Sequence, residues 1–260
     1  MGKIIAVANQ KGGVGKTTTA INLAAALAEM QYKILIIDLD PQGNATSGLG
    51  IERSRLKRCI YSVISGEVES EEAVINTSIP GVRLIPSTMG LAGAEVEMAG
   101  QEGREKILKH KISPLVFAYD YIFIDCPPSL GLLTLNALTA SHSVLIPLQC
   151  EYYALEGLSQ LINTVNLVKK RFNPELQIEG IVFTMFDGRT NLSIQVVDEV
   201  KKHFRKEIYR TLIPRNIRLS EAPSHGKPIT LYDPRSRGAE AYRELAREVV
   251  EREKERKRIR

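Results

Sequence analysis

Short β-branched runs recur along the chain at Lys3–Ala8, Lys33–Ile37, Val82–Ile85, Tyr121–Ile124, Val144–Pro147 and Ile178–Phe183, each bounded by turn-forming residues. Runs of this length and composition predict strands buried on both faces. Between several of them the apolar spacing changes to that of a helix. Thr17–Met30 carries Ile21, Ala24, Leu27 and Ala28 on one side. Glu151–Arg171 carries Leu155, Leu158, Leu161, Ile162 and Val165, and Asn191–Phe204 carries Ile194, Val197, Val200 and Phe204. Strands alternating with helices predict an α/β fold: a mostly parallel, twisted sheet with helices on both faces. No Pro/Gly/Ser-rich linker divides the chain, so residues 1–260 read as a single domain. A last helix begins near Gly238, with Tyr242, Leu245, Ala246, Val249 and Val250 as its docking stripe. Beyond Val250 the only apolar residue is Ile259, so 251–260 is expected to be a frayed, charged helix end.

Composition narrows the class without naming a function. With 43% hydrophobic and 25% charged residues, the 260-residue chain resembles an ordinary globular protein. No stretch approaches the roughly 18 apolar residues that span a bilayer. The N-terminal apolar run leads directly into polar Asn9, Gln10 and Lys11, unlike a signal peptide, so a cytoplasmic location is expected. Cys59, Cys126 and Cys150 are odd in number and widely spaced, which indicates neither a disulfide framework nor a zinc ribbon. The net charge of +5 permits a nucleic acid or an acidic membrane as partner but establishes neither.

The first strand leads into Asn9-Gln10-Lys11-Gly12-Gly13-Val14-Gly15-Lys16-Thr17-Thr18, and a helix follows at once. This is the context of a phosphate cradle. Glycines let successive backbone N–H groups turn toward an anion, and the helix N-terminus adds its positive dipole end. Lys16 is spaced to reach the β- and γ-phosphates of a nucleotide, and the Thr17 hydroxyl to ligate Mg²⁺. Two lysines flanking three glycines would repel one another without an anion between them. Where a common P-loop has its first glycine this chain has Gln10, and a second lysine, Lys11, opens the loop.

Carboxylates follow two other strands. Ile34–Ile37 runs into Asp38-Leu39-Asp40-Pro41-Gln42-Gly43-Asn44, and Tyr121–Ile124 into Asp125-Cys126-Pro127-Pro128-Ser129. Ligands of parallel sheets bind at the carboxyl ends of strands. Asp125 has the setting of a Walker B aspartate, an apolar strand followed by an acid. No Asn in the chain is followed by Lys, so the Asn-Lys-x-Asp motif of guanine-specific P-loop proteins is missing, which favours ATP.

The loop resembles the deviant Walker A motif of the ParA/MinD class of ATPases. The Asp38–Asn44 and Asp125–Ser129 blocks, together with Glu151-Tyr152-Tyr153-Ala154 and Pro214-Arg215-Asn216, resemble successive blocks of the ParA family, from Met1 to about Val250. The resemblance implies a P-loop NTPase fold and a cytoplasmic, nucleoid-associated Mg-ATPase that pairs into a homodimer with ATP. It implies nonspecific binding of that dimer to double-stranded DNA in chromosome or plasmid partition, and stimulation of hydrolysis by a ParB-type centromere-binding protein. By resemblance, Lys11 reaches the partner subunit's phosphates and Asp40 helps activate the attacking water. Asp40 and Asp125 act on Mg²⁺ through water, and the Pro214–Asn216 segment lies against the adenine. The same resemblance puts Arg189 and Arg218 at DNA-contacting positions, with Lys201, Lys202 and Arg205 as possible additions to the patch; for each arginine alone, a local ion pair is an equal reading.

Three relatives of different function share the loop. A MinD-like membrane-surface ATPase needs an amphipathic C-terminal helix, whereas 251–260 has one apolar residue, so no membrane partner is expected. An iron–sulfur reductase needs cysteines that two subunits can share, and Cys126 reads better as a buried thiol. A bacterial tyrosine kinase carries a C-terminal tyrosine cluster, but the last tyrosine here, Tyr242, lies in the docking stripe.

Overall fold

A computed structural model describes residues Gly2–Ile259. Seven strands form one sheet: β1 (Lys3–Val7), β2 (Ile34–Asp38), β3 (Ile75–Asn76), β4 (Val82–Ile85), β5 (Tyr121–Asp125), β6 (Ser143–Gln149) and β7 (Gln177–Thr184). Their order is β3-β4-β2-β5-β1-β6-β7. All pairs are parallel except β3 with β4, which is antiparallel. The six longer strands match the apolar runs of the sequence. The edge strand β3 does not, because two residues are too few to set a period.

Alternate residues of each strand feed two cores. Ile4, Ala6, Leu35, Ile37, Ile122 and Ile124 face one side, where helices Leu132–Ala140, Ala154–Arg171 and Asn191–Phe204 pack. Ile5, Val7, Ile34, Ile36, Tyr121 and Phe123 face the other, against helices Lys16–Glu29 and Arg237–Ile259. The helix Lys16–Glu29 is buried well beyond the stripe expected from its sequence; Ala20, Leu23, Ala25 and Ala26 are also covered. It is sandwiched between the sheet and the C-terminal helix, and small alanines allow that close approach. Tyr242, Leu245, Ala246, Val249 and Val250 supply the covering stripe as expected.

The charged C-terminal segment differs from the frayed end expected for 251–260. The helix continues to Ile259, and Arg252, Glu253 and Arg256 are anchored while Glu251, Lys254, Glu255, Lys257 and Arg258 stay exposed; Arg260 lies outside the described residues. Arg256 donates to the Glu179 carboxylate at 2.9 Å and to the Glu179 carbonyl at 3.0 Å. Arg252 donates to the Ile208 carbonyl and lies 4.1 Å from the centroid of the Tyr209 ring. Glu179 is fully buried and also takes Lys3 at 2.8 Å and the Ser143 hydroxyl at 2.6 Å. Burial opposes its ionisation, but Lys3 and Arg256 outweigh that and hold the carboxyl below its usual range. Both cations share this buried carboxylate, and through Arg256 the cluster fixes the last turns of the helix to the sheet. No helix among the described residues is long and apolar enough to cross a membrane.

Candidate functional site

The loop after β1 is held from both sides. Asn9 donates to the Pro147 carbonyl at 2.8 Å and accepts from the Lys11 N–H at 3.0 Å. Thr184, the last residue of β7, donates its hydroxyl to the Val14 carbonyl at 2.8 Å. Gly13 and Gly15 have φ of 77° and 88°, a left-handed backbone that a side chain would strain. These turns aim the loop's amides and the start of the helix at Lys16 into one cleft.

That cleft, about 530 Å³, is lined by Gly12, Gly13, Gly15, Lys16, Thr17 and Thr18 on one side and Asp40, Asn44 and Ser47 on another. A second cavity of about 420 Å³ shares Gly15, Thr18, Met185 and Pro223 with it and is lined by Pro214, Arg215 and Asn216. The structure therefore brings the glycine loop, Asp40 and the Pro214–Asn216 segment around one continuous space. Asn216 also accepts from the Arg218 N–H at 2.8 Å, which caps the helix Ile217–Glu221 and fixes the segment's direction. Met185 stands at the junction with φ of 49°, unusual for a bulky residue.

Beneath the cleft lie the strand-end acids. Asp38 and Asp125 are register partners on β2 and β5, and both are fully buried. Asp38 accepts from the Thr46 N–H at 2.8 Å and the Thr46 hydroxyl at 2.6 Å. Burial nevertheless lifts its pKa to about 6. Neither oxygen of Asp125 has a hydrogen-bond partner among the described residues. Burial and the charge of Asp38 push its carboxyl well above the usual range, while the Thr17 hydroxyl and Lys16 pull weakly the other way. Lys16 is itself buried and donates to the Lys11 carbonyl at 2.8 Å. Burial lowers its pKa, against the opposing pull of Asp125, Cys126 and Asp40.

An orphaned carboxylate beside the Thr17 hydroxyl is a hard, all-oxygen donor set that fits Mg²⁺. No group of three or more His, Cys, Asp or Glu among the described residues could hold a metal ion. A cation here would complete its shell from phosphate oxygens and water, the usual arrangement for Mg²⁺.

A family model described as an AAA domain matches residues 2–178. The chain is 61% identical over 250 residues to the sporulation initiation inhibitor protein Soj of Bacillus subtilis, covering 96% of this chain and 99% of that one. It is 55% identical over 253 residues to the chromosome partitioning protein ParA of Myxococcus xanthus, covering 97% and 89% respectively. The chain belongs to the ParA/Soj family of chromosome-partitioning ATPases. Among solved structures it resembles cobyrinic acid a,c-diamide synthase from Mycobacterium smegmatis with bound ADP and magnesium, at a TM-score of 0.86 and 39% identity over 98% of this chain and 96% of that one. It also resembles MinD from Pyrococcus horikoshii complexed with Mg-ADP, at a TM-score of 0.81 and 27% identity over 96% of each chain.

The remaining candidate residues of this ParA/Soj chain lie outside the cleft. Lys11 is half exposed and pairs with Glu151 at a groove lined also by Ser129 and Tyr153, which adjoins the cleft through the shared Gly12 and Pro128. Arg189 is 89% exposed and chelates Asp187 at 2.8 and 2.6 Å, which holds that carboxyl down at about 2. Arg218 bonds Glu221 at 2.9 Å. Backbone bonds from Phe186 to Ile213 and from Arg215 to Phe186 join the two arginine-bearing segments at one end of the sheet. Lys202 pairs with Glu199 on the neighbouring helix. Cys126 is buried beneath β5, which raises its thiol pKa and keeps it from the surface where two subunits could share a cluster.

Sequence reasoning missed Asp38 as a site residue, along with Thr184, Met185 and the Lys11–Glu151 pair. An acid ending a fully apolar strand was the available signal for Asp38. The others depend on contacts between distant segments.

The raised carboxyl of Asp125 has a consequence for stability. An acid whose pKa is higher in the folded chain costs stability as the pH rises above its unfolded value. Asp125→Asn is therefore expected to stabilise the nucleotide-free protein by about 1–3 kcal/mol near pH 7, with the gain vanishing toward pH ~4. Denaturant titrations across this range check it; equal or lower stability at neutral pH would refute the assignment.

Proposed function

We propose that this protein is a Mg-ATPase that pairs with a second copy when ATP is bound, and that the pair binds double-stranded DNA without sequence preference. We further infer that a ParB-type centromere-binding protein stimulates hydrolysis and so releases the pair, in the cytoplasm on the nucleoid. The observation that carries this reading is the orphaned Asp125 carboxylate beneath a glycine loop whose cleft runs on to Pro214–Asn216.

The loop amides of Gly12–Thr18, with Lys16, bind and orient the β- and γ-phosphates. Thr17 and Asp125 would hold Mg²⁺, which when bound would neutralise charge on the phosphate oxygens. Asp40, which lines the cleft and would help hold the ion, orients a water for in-line attack on the γ-phosphorus. The bond to the ADP oxygen breaks as the new P–O bond forms, and inorganic phosphate leaves. Pro214, Arg215 and Asn216 hold the adenine end.

Lys11 supplies the second cation from the partner copy. Its pair with Glu151 is half exposed, and such pairs are worth about 0–1 kcal/mol. Exchange of that pair for a phosphate of the other subunit is therefore inexpensive. The same magnitude applies to Arg189 with Asp187 and Arg218 with Glu221, so their local pairing does not preclude DNA phosphates. Pairing two copies doubles the cations facing DNA, and nonspecific affinity rises steeply with the number of phosphates contacted. The membrane-surface alternative lacks a free amphipathic helix, since the apolar stripe of Arg237–Ile259 is buried against Lys16–Glu29.

Two outcomes follow. Lys11→Ala is expected to keep its fold and bind ATP yet stay monomeric; light scattering that shows an ATP-dependent dimer would contradict the role of Lys11. In mobility shifts, the wild type is expected to bind DNA with ATP but not with ADP or without nucleotide, and to weaken with salt. Arg189→Glu with Arg218→Glu should lower that affinity at least tenfold while ATP binding stays normal. Nucleotide-independent binding would break the switch, and an unchanged double variant would remove these arginines from the DNA face.

A further inference from the structure

The chain from the end of β2 to the cleft wall is very short. Leu39 is pinned by its N–H to the Asp125 carbonyl at 2.9 Å, Asp40 follows, and a tight turn closes as the Gly43 N–H meets the Asp40 carbonyl at 2.8 Å. The helix Asn44–Gly48 comes next, and its Asn44, Ser47 and Gly48 line the cleft together with Asp40. A five-residue helix has no stability of its own, so tertiary ties set its position.

Thr46 lies on the opposite, fully buried side of that helix. Its N–H and its hydroxyl both donate to one oxygen of Asp38, at 2.8 and 2.6 Å. The same hydroxyl oxygen accepts the Ser87 N–H at 2.9 Å, from the loop beyond β4. Capping the helix needs only the backbone N–H. The hydroxyl does something else: it ties the end of β2, the Asp40 segment and the β4 loop through one buried oxygen atom.

We propose that Thr46 is a positioning residue for ATP hydrolysis, its hydroxyl holding the Asn44–Gly48 helix, and through it Asp40, in register with the γ-phosphate end of the cleft. This rests on the reading that Asp40 orients the attacking water. Thr46 touches neither nucleotide nor water; it acts by fixing the wall that carries Asp40. Without the hydroxyl, the Ser87 N–H loses its acceptor and Asp38 one donor; the turn from Asp40 to Gly43 keeps its own backbone bond, but the helix that continues it loses its tie to the β4 loop. Misplacing a reacting group by about 1 Å can cost on the order of 10²-fold in rate.

The test compares steady-state hydrolysis by Thr46→Val, which keeps the shape, Thr46→Ala, and Thr46→Ser, which keeps the hydroxyl. Thermal unfolding is followed for each. The hydroxyl-free chains are expected to lose roughly 10- to 100-fold in kcat, with the KM for ATP and the ATP-dependent dimer retained, and Thr46→Ser to recover most of the rate. A wild-type kcat in a folded Thr46→Val or Thr46→Ala overturns the proposal. So does a loss expressed in KM, or an equal loss of kcat in Thr46→Ser. If neither hydroxyl-free chain folds, a tenfold loss in Thr46→Ser overturns it and wild-type turnover there supports it. Asp40→Ala separates the two levels. A slow Asp40→Ala beside a fast Thr46→Val removes the Thr46 role alone, whereas a fast Asp40→Ala removes both.

Discussion

Two carboxylates, Asp38 and Asp125, lie side by side at the ends of neighbouring strands with no solvent to share their charge. Burying one unpaired carboxylate is costly, and a second beside it raises the cost. Asp38 is compensated by Thr46. Asp125 is not. The glycine loop, Lys16 and Thr17 surround that group, and in the function proposed above a divalent cation carried in on a triphosphate would complete it. The free chain thus holds a destabilised arrangement, a common feature of sites kept for function rather than stability.

The rest of the fold serves to keep that arrangement rigid. Parallel strands put both acids and the loop at the same sheet end, which is where such sheets bind ligands. The helix behind the loop is pressed between the sheet and the C-terminal helix, whose own end is tied down by Arg252 and Arg256. The groups assigned to partners differ in kind. Lys11, Arg189 and Arg218 sit at the surface in weak ion pairs that another polyanion can displace. Strong, buried contacts hold the cleft, and the proposed partner contacts rest on weak, exposed pairs.

Much of this was legible in the sequence because the signals are local. Strand–loop–helix order marked the glycine loop that lines the cleft, and an acid after an apolar run marked Asp125, which lies buried at the end of β5. The Pro214–Asn216 block was placed by resemblance alone, and the structure brings it to the cavity joined to the loop. What the sequence hid depends on distance along the chain. Arg256 meets Glu179 across 77 positions, so one face of a segment that reads as solvated charge is anchored. Thr184 supports Val14 across 170 positions. β3 is two residues long and earns its place only by pairing with β4.

The most direct test of the completed charge cluster is the thermal stability of the wild-type protein with ATP in magnesium and with ATP in EDTA. A large upward shift of the unfolding midpoint with ATP and magnesium, and little or none in EDTA, is expected if the cation is what Asp125 lacks. Equal stabilisation in EDTA, or none in either condition, would contradict it.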